Sequence, residues 1–334
     1  MKENFKVFDK AKDIPNEWND FCKDNFFMQK DRLEFLENVN PCNQKYYIVY
    51  NKENIEACFV MFPFKYEFDK HIKVNVKLIF LPVSVADPGI VAKPNSKELY
   101  KCLKKIKGIK LILSTSEDFK LINGIKFEGN PNCRLDIKWN DLDQYLNSMR
   151  TKYRSQMKEI LRKREKLDIR ILKDNSKEFT NEIYQLYMQV MSNVDYVLET
   201  LNIEFFRNNF SKTMVYEVDK KPKAFMQFIE NDKKIICEFC GFDYKDRDKF
   251  DLYKNTLLGV VIYAIEKGYK EIDVGQSAEM TKMKFGAYLE PKYSWIFYDG
   301  SKICNKILEY ILLDKNTHKE KCNYNIFKKS SNIK

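Results

Sequence analysis

The sequence predicts an α+β fold with mixed α/β sheets, arranged as two similar halves joined by a basic helix. The first observation is the stretch from Ile235 to Gly275, where a strand, a charged turn, a helix and a second strand follow one another. A shorter copy of this order begins at Glu98, and a basic amphipathic segment separates the copies. The predicted divisions are an N-terminal half (1–140), a basic linker helix (141–168), a C-terminal half (169–315) and a basic, mobile tail (316–334).

The strand–helix–strand unit of the C-terminal half has clear internal boundaries. Residues from Leu252 to Lys267 carry apolar side chains at helical spacing and stop at Gly268. Ligands of such units bind beyond the carboxyl ends of the strands and around the start of the helix. The polar residues gathered there are Glu238, Tyr253, Lys254, Asp273, Gln276, Lys284 and Tyr288. Taken singly, each is equally typical of a solvated turn or a hydrogen-bonded strand residue, but as a set they indicate a binding site.

The copy in the N-terminal half repeats local details of this unit. Leu99, Tyr100 and Lys101 stand where the second copy has Leu252, Tyr253 and Lys254, and Gly108 stands where it has Gly268. Strands joined by polar turns precede both copies. The sequence therefore predicts an internal duplication.

The segment 141–168 combines an apolar helical face with a dense positive charge. Its apolar positions are Leu146, Met149, Tyr153, Met157, Ile160 and Leu167. Its cations are Arg150, Lys152, Arg154, Lys158, Arg162, Lys163, Arg164 and Lys166, opposed within this basic stretch by Glu159 and Glu165. Two interpretations stay open: a linker helix with a solvated basic face, or a surface that binds RNA or another phosphate-rich ligand.

Composition favours compact folding and anionic partners. The 334 residues are 44% hydrophobic and 14% aromatic, enough for two domains with their own cores. Lysine and arginine outnumber the acids by 59 to 48, and the net charge of +11 favours nucleic acid, phosphate-bearing ligands or an acidic membrane surface. The N-terminus has no apolar run of signal-peptide length, and no other run approaches a membrane span, so a cytoplasmic protein with at most peripheral membrane contact is expected.

The cysteines and histidines argue against a metal site. Nine scattered cysteines in an apparently intracellular chain predict reduced thiols. Cys237 and Cys240 have CxxC spacing, but residues three apart in a regular strand point to opposite faces and cannot share a metal ion. With only two histidines, His71 and His318, neither a metal site nor a histidine-based catalytic triad is expected.

The run from Gly268 to Tyr298 resembles the closing segment of one branch of the GNAT superfamily, which includes Fem-type aminoacyl transferases and FemAB-like acetyltransferase-domain proteins. In that branch a helix ending in glycine leads to a strand, a polar loop, a lysine just before an aromatic residue and a glycine, and a return strand. Lys284, Phe285 and Gly286 match the lysine-aromatic-glycine step. The resemblance covers most of residues 210–298 and implies two tandem GNAT-like halves.

The resemblance also implies an N-acyltransferase or aminoacyltransferase with its active site in the C-terminal half. The acceptor would be an amine-bearing small molecule or a cell-envelope precursor. Glu238 or Asp273 would remove the amine proton, Tyr288 would protonate the leaving group and Lys284 would neutralise developing negative charge. The remaining candidate donor- or substrate-binding residues are Asp87, in a loop of the first half, Tyr196, Tyr253, Lys254, Gln276 and Arg154.

The donor is either an acyl-CoA or an aminoacyl-tRNA. Acyl-CoA-binding GNAT proteins generally have a glycine-rich turn before the helix that holds the pyrophosphate, whereas this turn reads YKDRDKFDLYK and contains no glycine. That departure indicates either a tRNA donor or a ligand site that is formed differently, and the basic segment also points to tRNA. The alternative is a catalytically silent tandem GNAT-like protein that binds RNA or an anionic surface.

Overall fold

The computed structural model describes residues 4–69, 72–82, 87–193, 200–298 and 324–328. The candidate pocket residue Tyr196 and the apolar helix expected after Tyr298 lie outside these ranges. The described residues form two compact units, one within 1–131 and 291–321 and the other within 132–290 and 322–334. Each unit is built on one mixed sheet, which confirms the predicted fold class.

The first unit places its helices around a sheet with strand order β1-β2-β3-β4-β6-β15-β7, and β5 pairs with β3. Its helices are α1 (Glu17–Phe21), α2 (Lys30–Val39) and α3 (Lys97–Lys105). Its strands are β1 (Phe5–Phe8), β2 (Lys45–Asn51), β3 (Asn54–Asp69), β4 (Ile72–Ile79), β5 (Ile90–Ala92), β6 (Ile109–Thr115), β7 (Ile125–Glu128) and β15 (Tyr293–Phe297).

The second unit has a sheet with strand order β14-β8-β13-β12-β11-β10-β9. Its strands are β8 (Asn132–Asp136), β9 (Asp168–Ile171), β10 (Lys212–Val218), β11 (Lys221–Asn231), β12 (Lys234–Phe242), β13 (Glu271–Asp273) and β14 (Tyr288–Glu290). Its helices are α4 (Leu142–Ser148), α5 (Thr151–Arg164), α6 (Asn175–Glu178), α7 (Asn181–Met191), α8 (Ile203–Asn208), α9 (Leu252–Lys267) and α10 (Glu279–Met283).

Both units contain the predicted strand–helix–strand connection. In the first, α3 lies in the connection between the parallel strands β4 and β6, and in the second α9 connects the parallel strands β12 and β13. Helix α9 begins and ends at the predicted residues, and Gly268 ends it in the left-handed conformation at φ 75°. Within the described residues, no helix has both the length and the apolar character needed to cross a membrane.

Strands near the unit boundaries differ from the expected division of the chain. Residues 132–136 were expected in the N-terminal half, but β8 pairs with β13 and β14 in the second sheet. Residues 293–297 were expected to close the C-terminal half, but β15 lies between β6 and β7 in the first sheet. Each sheet therefore contains a strand that the expected boundaries assigned to the other half.

The basic segment is part of the second unit rather than a separate linker. It forms two helices, because the backbone of Met149 is extended (ψ 149°) and makes an isolated β-bridge with Phe327. Its predicted apolar face is buried: five of the six positions are less than 10% exposed, and Tyr153 packs against the same core. The amphipathic pattern was therefore correct, while the single continuous helix was wrong.

Candidate functional site

The sheet of the second unit opens into a notch where β12 and β13 separate. The two strands pair only from Lys234 to Ile236 on β12, against the whole of β13. Strand β13 ends at Asp273, whereas β12 continues to Phe242. No described strand pairs with this side of β12 from Cys237 onwards, so its outward backbone groups face the notch. This is the carboxyl end of both parallel strands, where the sequence predicted a ligand.

A β-bulge on β12 lies at the same place. Phe228 pairs with Cys237 and Met226 pairs with Cys240. A step of two residues along β11 therefore corresponds to a step of three along β12, which carries one extra residue. Because Met226 and Phe228 point to the same face, Cys237 and Cys240 do so as well. The expectation that the two thiols point to opposite faces was therefore wrong. Among the described residues, no group of three or more histidine, cysteine or acidic side chains could hold a metal ion.

Glu238 lies in the bulge and points toward α7 and α8. Its side chain is buried, and its Oε2 accepts a hydrogen bond of 2.7 Å from the amide of Asn209, which follows the last residue of α8. The neighbouring Phe239 contacts the ring of Phe205 at 5.4 Å on the same side. Gln227, opposite the bulge, donates to the Thr213 hydroxyl at 2.9 Å, while its own amide oxygen is buried without a partner. Glu238 therefore sits in a buried polar pocket beside the notch.

Asp273, the second predicted proton acceptor, is held in an ionic network. Its carboxylate accepts from the Gly275 N–H at 2.9 Å and from the Asn132 amide at 3.3 Å. Lys234 and Arg134 lie at 3.5 and 3.9 Å from its Oδ2. Both carboxylate oxygens are therefore already engaged by groups of the protein, which leaves Asp273 badly placed to contact a substrate amine. The geometry favours Glu238 for that role.

Tyr288 is not brought to the notch. It lies on the edge strand β14, is 46% exposed, and its hydroxyl is 3.4 Å from Asp136. In the strand order, β14 lies three positions from β12. At about 4.8 Å between neighbouring strands, the two strands are roughly 14 Å apart. Lys284 follows α10, and its ammonium lies 6.0 Å from the centre of the Tyr324 ring. Asp87 belongs to the first unit, in the loop before β5.

The start of α9 carries a carboxylate of its own. Asp251 precedes the helix in the left-handed conformation (φ 47°) and pairs with Lys254 at 2.7 Å and Lys163 at 3.0 Å. Burial raises the pKa of Asp251, but the hydrogen bonds from Lys254 and Lys163 outweigh it and the net pKa is lowered. Tyr253 is half-buried, and burial raises the pKa of its hydroxyl. Negative charge therefore already occupies the helix end that attracts anions.

Helix α5 lies beside the start of α9 and presents unpaired cations. Lys163 also donates to the Asp248 carbonyl at 2.9 Å, and Arg164 donates to the Asn255 carbonyl at 3.4 Å. Arg162 is neutralised by Glu159 at 2.7 Å. Three other cations of α5 have no ion-pair partner within the described parts of the chain, and neither has Lys166 just after the helix; the three are Lys152, Arg154 and Lys158.

A buried lysine that the sequence did not single out lies at the notch. Lys282 on α10 is 5% exposed, and its ammonium donates to the Gln276 carbonyl at 2.6 Å. Burial lowers its pKa. Its electrostatic neighbours are the thiols of Cys133, Cys237 and Cys240 and the carboxylate of Glu279. No sequence signal distinguishes it from Lys284, two positions later, because burial of a lysine cannot be predicted from a short polar helix.

Comparison with known proteins places this architecture among acyltransferase folds. No protein-family model matches the chain, and no curated protein matches its sequence. Three solved structures are similar to it over most of its length: L-PGS from Bacillus licheniformis (TM-score 0.56, 13% identity, 90% of this chain and 97% of that one), FemX (0.55, 10%, 91% and 100%) and the C-terminal domain of a putative lysylphosphatidylglycerol synthetase from Agrobacterium fabrum (0.54, 12%, 89% and 96%). The chain has the GNAT/Fem-like acyltransferase fold, which confirms the resemblance read from its sequence.

Proposed function

We propose that the chain is an aminoacyl transferase that moves an aminoacyl group from aminoacyl-tRNA to an amine, with the reacting carbonyl in the notch between β12 and β13. The observation that carries this choice is Asp251 at the start of α9. A pyrophosphate bound at that helix end would meet a carboxylate whose pKa is lowered and which remains charged at neutral pH. Acyl-CoA is therefore the less favoured donor.

The cations of α5 support an RNA donor. Lys152, Arg154, Lys158 and Lys166 are left without ion-pair partners among the described residues, while Lys163 and Arg164 attach this helix to the start of α9. Unpaired lysines and arginines bind phosphates and release counterions, which makes the affinity dependent on salt. The basic surface therefore lies on the helix that is fixed to the donor end of the site.

The chemistry requires a proton acceptor beside the notch, and Glu238 supplies it. Its carboxylate accepts a hydrogen bond from the Asn209 amide and lies in the bulge of the strand that borders the notch. An amine that attacks the ester carbonyl would transfer its proton to Glu238, while the outward backbone groups of β12 face the developing oxyanion. Asp273 maintains the ionic network of the sheet.

The acceptor we propose is an amine-bearing cell-envelope precursor or small molecule. One of the similar structures is a domain of a putative lysylphosphatidylglycerol synthetase. Another is FemX, whose name matches the Fem-type branch that the sequence resembles. Both point to aminoacyl groups as the unit transferred. The net charge of +11 also suits an acceptor with phosphate groups.

The decisive experiment offers the purified chain radiolabelled total aminoacyl-tRNA and, in parallel, labelled acetyl-CoA. The acceptors are an N-acetylated lysine dipeptide and vesicles of phosphatidylethanolamine. We expect transfer from tRNA only, and a loss of about a hundredfold or more in Glu238→Gln but not in Glu266→Gln, an exposed matched control on α9. Transfer from acetyl-CoA alone would refute the choice of donor.

Binding to uncharged tRNA distinguishes the enzyme from the catalytically silent alternative. The double variant Lys152→Gln/Lys158→Gln should make the slope of log affinity against log salt shallower by about 1.4 to 1.8, at about 0.7–0.9 per phosphate contact. The double variant Lys12→Gln/Lys23→Gln, on exposed lysines of the first unit, should leave the slope unchanged. Salt-dependent binding without transfer from either donor would favour the silent RNA-binding protein.

A further inference from the structure

The first lysine after β13, Lys282, is buried where a charged side chain is costly. Lys282 is 5% exposed, and the carbonyl of Gln276, at 2.6 Å, is its one hydrogen-bond partner among the described residues. An ammonium group has three N–H donors, so two of them lack a strong acceptor. No carboxylate of the described chain lies within ion-pair distance of it.

The groups around Lys282 do not compensate its charge. The thiols of Cys133 and Cys240 have their pKa raised to about 11 by burial, so they are neutral near pH 7. Glu279 influences Lys282 only from a distance. A buried, uncompensated ammonium is destabilised relative to the neutral amine, so this lysine gives up a proton readily.

The position of Lys282 relative to the strands places it under the notch. Cys133 lies on β8, and Cys237 and Cys240 lie on β12, while β13 runs between these two strands and ends at Asp273. The Lys282 ammonium is bonded to the carbonyl of Gln276, three residues after the end of β13, so it lies where β13 has ended and the sheet has opened. The thiols point to the α9 face of the sheet, whereas Glu238 points toward α7 and α8. The notch separates a carboxylate on one face from an amine on the other.

We propose that Lys282 is the acid that protonates the leaving oxygen in the transfer reaction. This rests on the proposed function and replaces Tyr288, which lies roughly 14 Å from β12 at about 4.8 Å per strand. Its burial disfavours the charged form, so loss of the proton is easier than for an exposed lysine. An ammonium that releases its proton more easily than an exposed one suits protonation of a leaving oxygen.

The step balances with the residues named. The amine nitrogen bonds to the ester carbonyl carbon and its proton moves to Glu238. The bond between that carbon and the ribose oxygen then breaks, and a proton from the Lys282 ammonium moves to this oxygen. The products are the amide and the free ribose hydroxyl, with Glu238 protonated and Lys282 neutral. Exchange with solvent restores both groups before the next turnover.

Dependence on the leaving group tests this role. One donor is alanyl-adenosine, whose ribose oxygen needs a proton in order to leave, and the other is the thiophenyl ester of alanine, whose thiolate leaves without one. The acceptor is the N-acetylated lysine dipeptide. In Lys282→Met we expect the rate with alanyl-adenosine to fall by about a hundredfold or more, and the rate with the thiophenyl ester to fall less than about fivefold. A merely structural role would reduce both rates alike, and that result would overturn the proposal.

Three further measurements keep the outcome interpretable. Thermal unfolding of Lys282→Met should give a midpoint equal to or above that of the wild type, because an uncompensated buried amine is removed. Lys267→Met, which removes an exposed charge at the end of α9, should behave as the wild type with both donors. Tyr288→Phe tests the competing assignment, and a selective loss with alanyl-adenosine in that variant instead would refute Lys282. If the wild type transfers from neither donor, the proposed function itself fails.

Discussion

Helix α9 is held against the sheet by a contact that leaves no room for a single methyl group. A Cβ atom added at Gly259 would lie 1.9 Å from the Tyr216 hydroxyl oxygen and 2.9 Å from the Met214 sulfur. Tyr216 is fully buried, and its hydroxyl is 2.9 Å from the Met214 sulfur and 3.4 Å from the Thr256 carbonyl. We therefore predict that Gly259→Ala destabilises the second unit, although alanine is the better helix former.

The magnitude follows from three opposing contributions. Alanine in place of glycine inside a helix stabilises it by about 1 kcal/mol. Overpacking a buried site costs about 1–3 kcal/mol, and displacing the tyrosine hydroxyl from its partners costs about 1 kcal/mol more. The net expectation is a loss of about 1–3 kcal/mol. The unfolding midpoint should fall by about 2–4 °C for each kcal/mol in a unit of this size.

A double-mutant cycle in urea identifies the cause. Tyr216→Phe removes the oxygen atom that the new methyl group would contact, so Gly259→Ala should cost markedly less in that background. We expect a coupling free energy of about 1 kcal/mol or more. Equal losses in the two backgrounds, or a more stable Gly259→Ala, would show that the close approach to Tyr216 does not require the glycine.

Two further predictions concern the second unit. The lowered pKa of Asp251 means that its carboxylate stabilises the fold above its unfolded-state pKa, and that this contribution is lost as the pH falls through its folded-state pKa. Asp251→Asn should therefore cost about 1 kcal/mol at pH 7, and urea titrations should show this difference vanishing in acid; a constant difference would contradict the assignment. Gly286 has φ 96°, and a Cβ there would lie 2.2 Å from the Phe327 ring. Gly286→Ala should cost about 1–3 kcal/mol by thermal unfolding, and Phe327→Ala should restore only part of it, because the backbone strain remains; complete restoration would show that φ is not strained.

Local patterns in the sequence predicted local structure well. The apolar spacing and Gly268 fixed both ends of α9, and the duplicated unit appears as two pairs of parallel strands with a helix in each connection. The buried face of the basic segment also followed its periodicity. These features depend on interactions between residues close together in the chain, which is why periodicity and capping residues report them.

The parts that the sequence could not predict depend on partners far apart in the chain. Nothing within 293–297 indicates that this strand pairs with β6, about 180 residues earlier. No residue pattern in β12 predicts the bulge, which shifts the alternation of side chains between the two faces of the sheet. Cys237 and Cys240 therefore point to the same face instead of to opposite faces. The burial of Lys282 follows from the early end of β13 and the thiols around it, which only the folded sheet brings together.

The position of β15 has a consequence for synthesis of the chain. This strand fills the space between β6 and β7, although the whole second sheet is translated after β7 and before β15. At about 5–20 residues per second, a ribosome needs roughly ten to thirty seconds between the two. During that interval the edges of β6 and β7 that β15 pairs with have no partner from this strand, and their backbone groups are open to other chains. The first unit therefore completes its sheet only after the strands of the second have been synthesised.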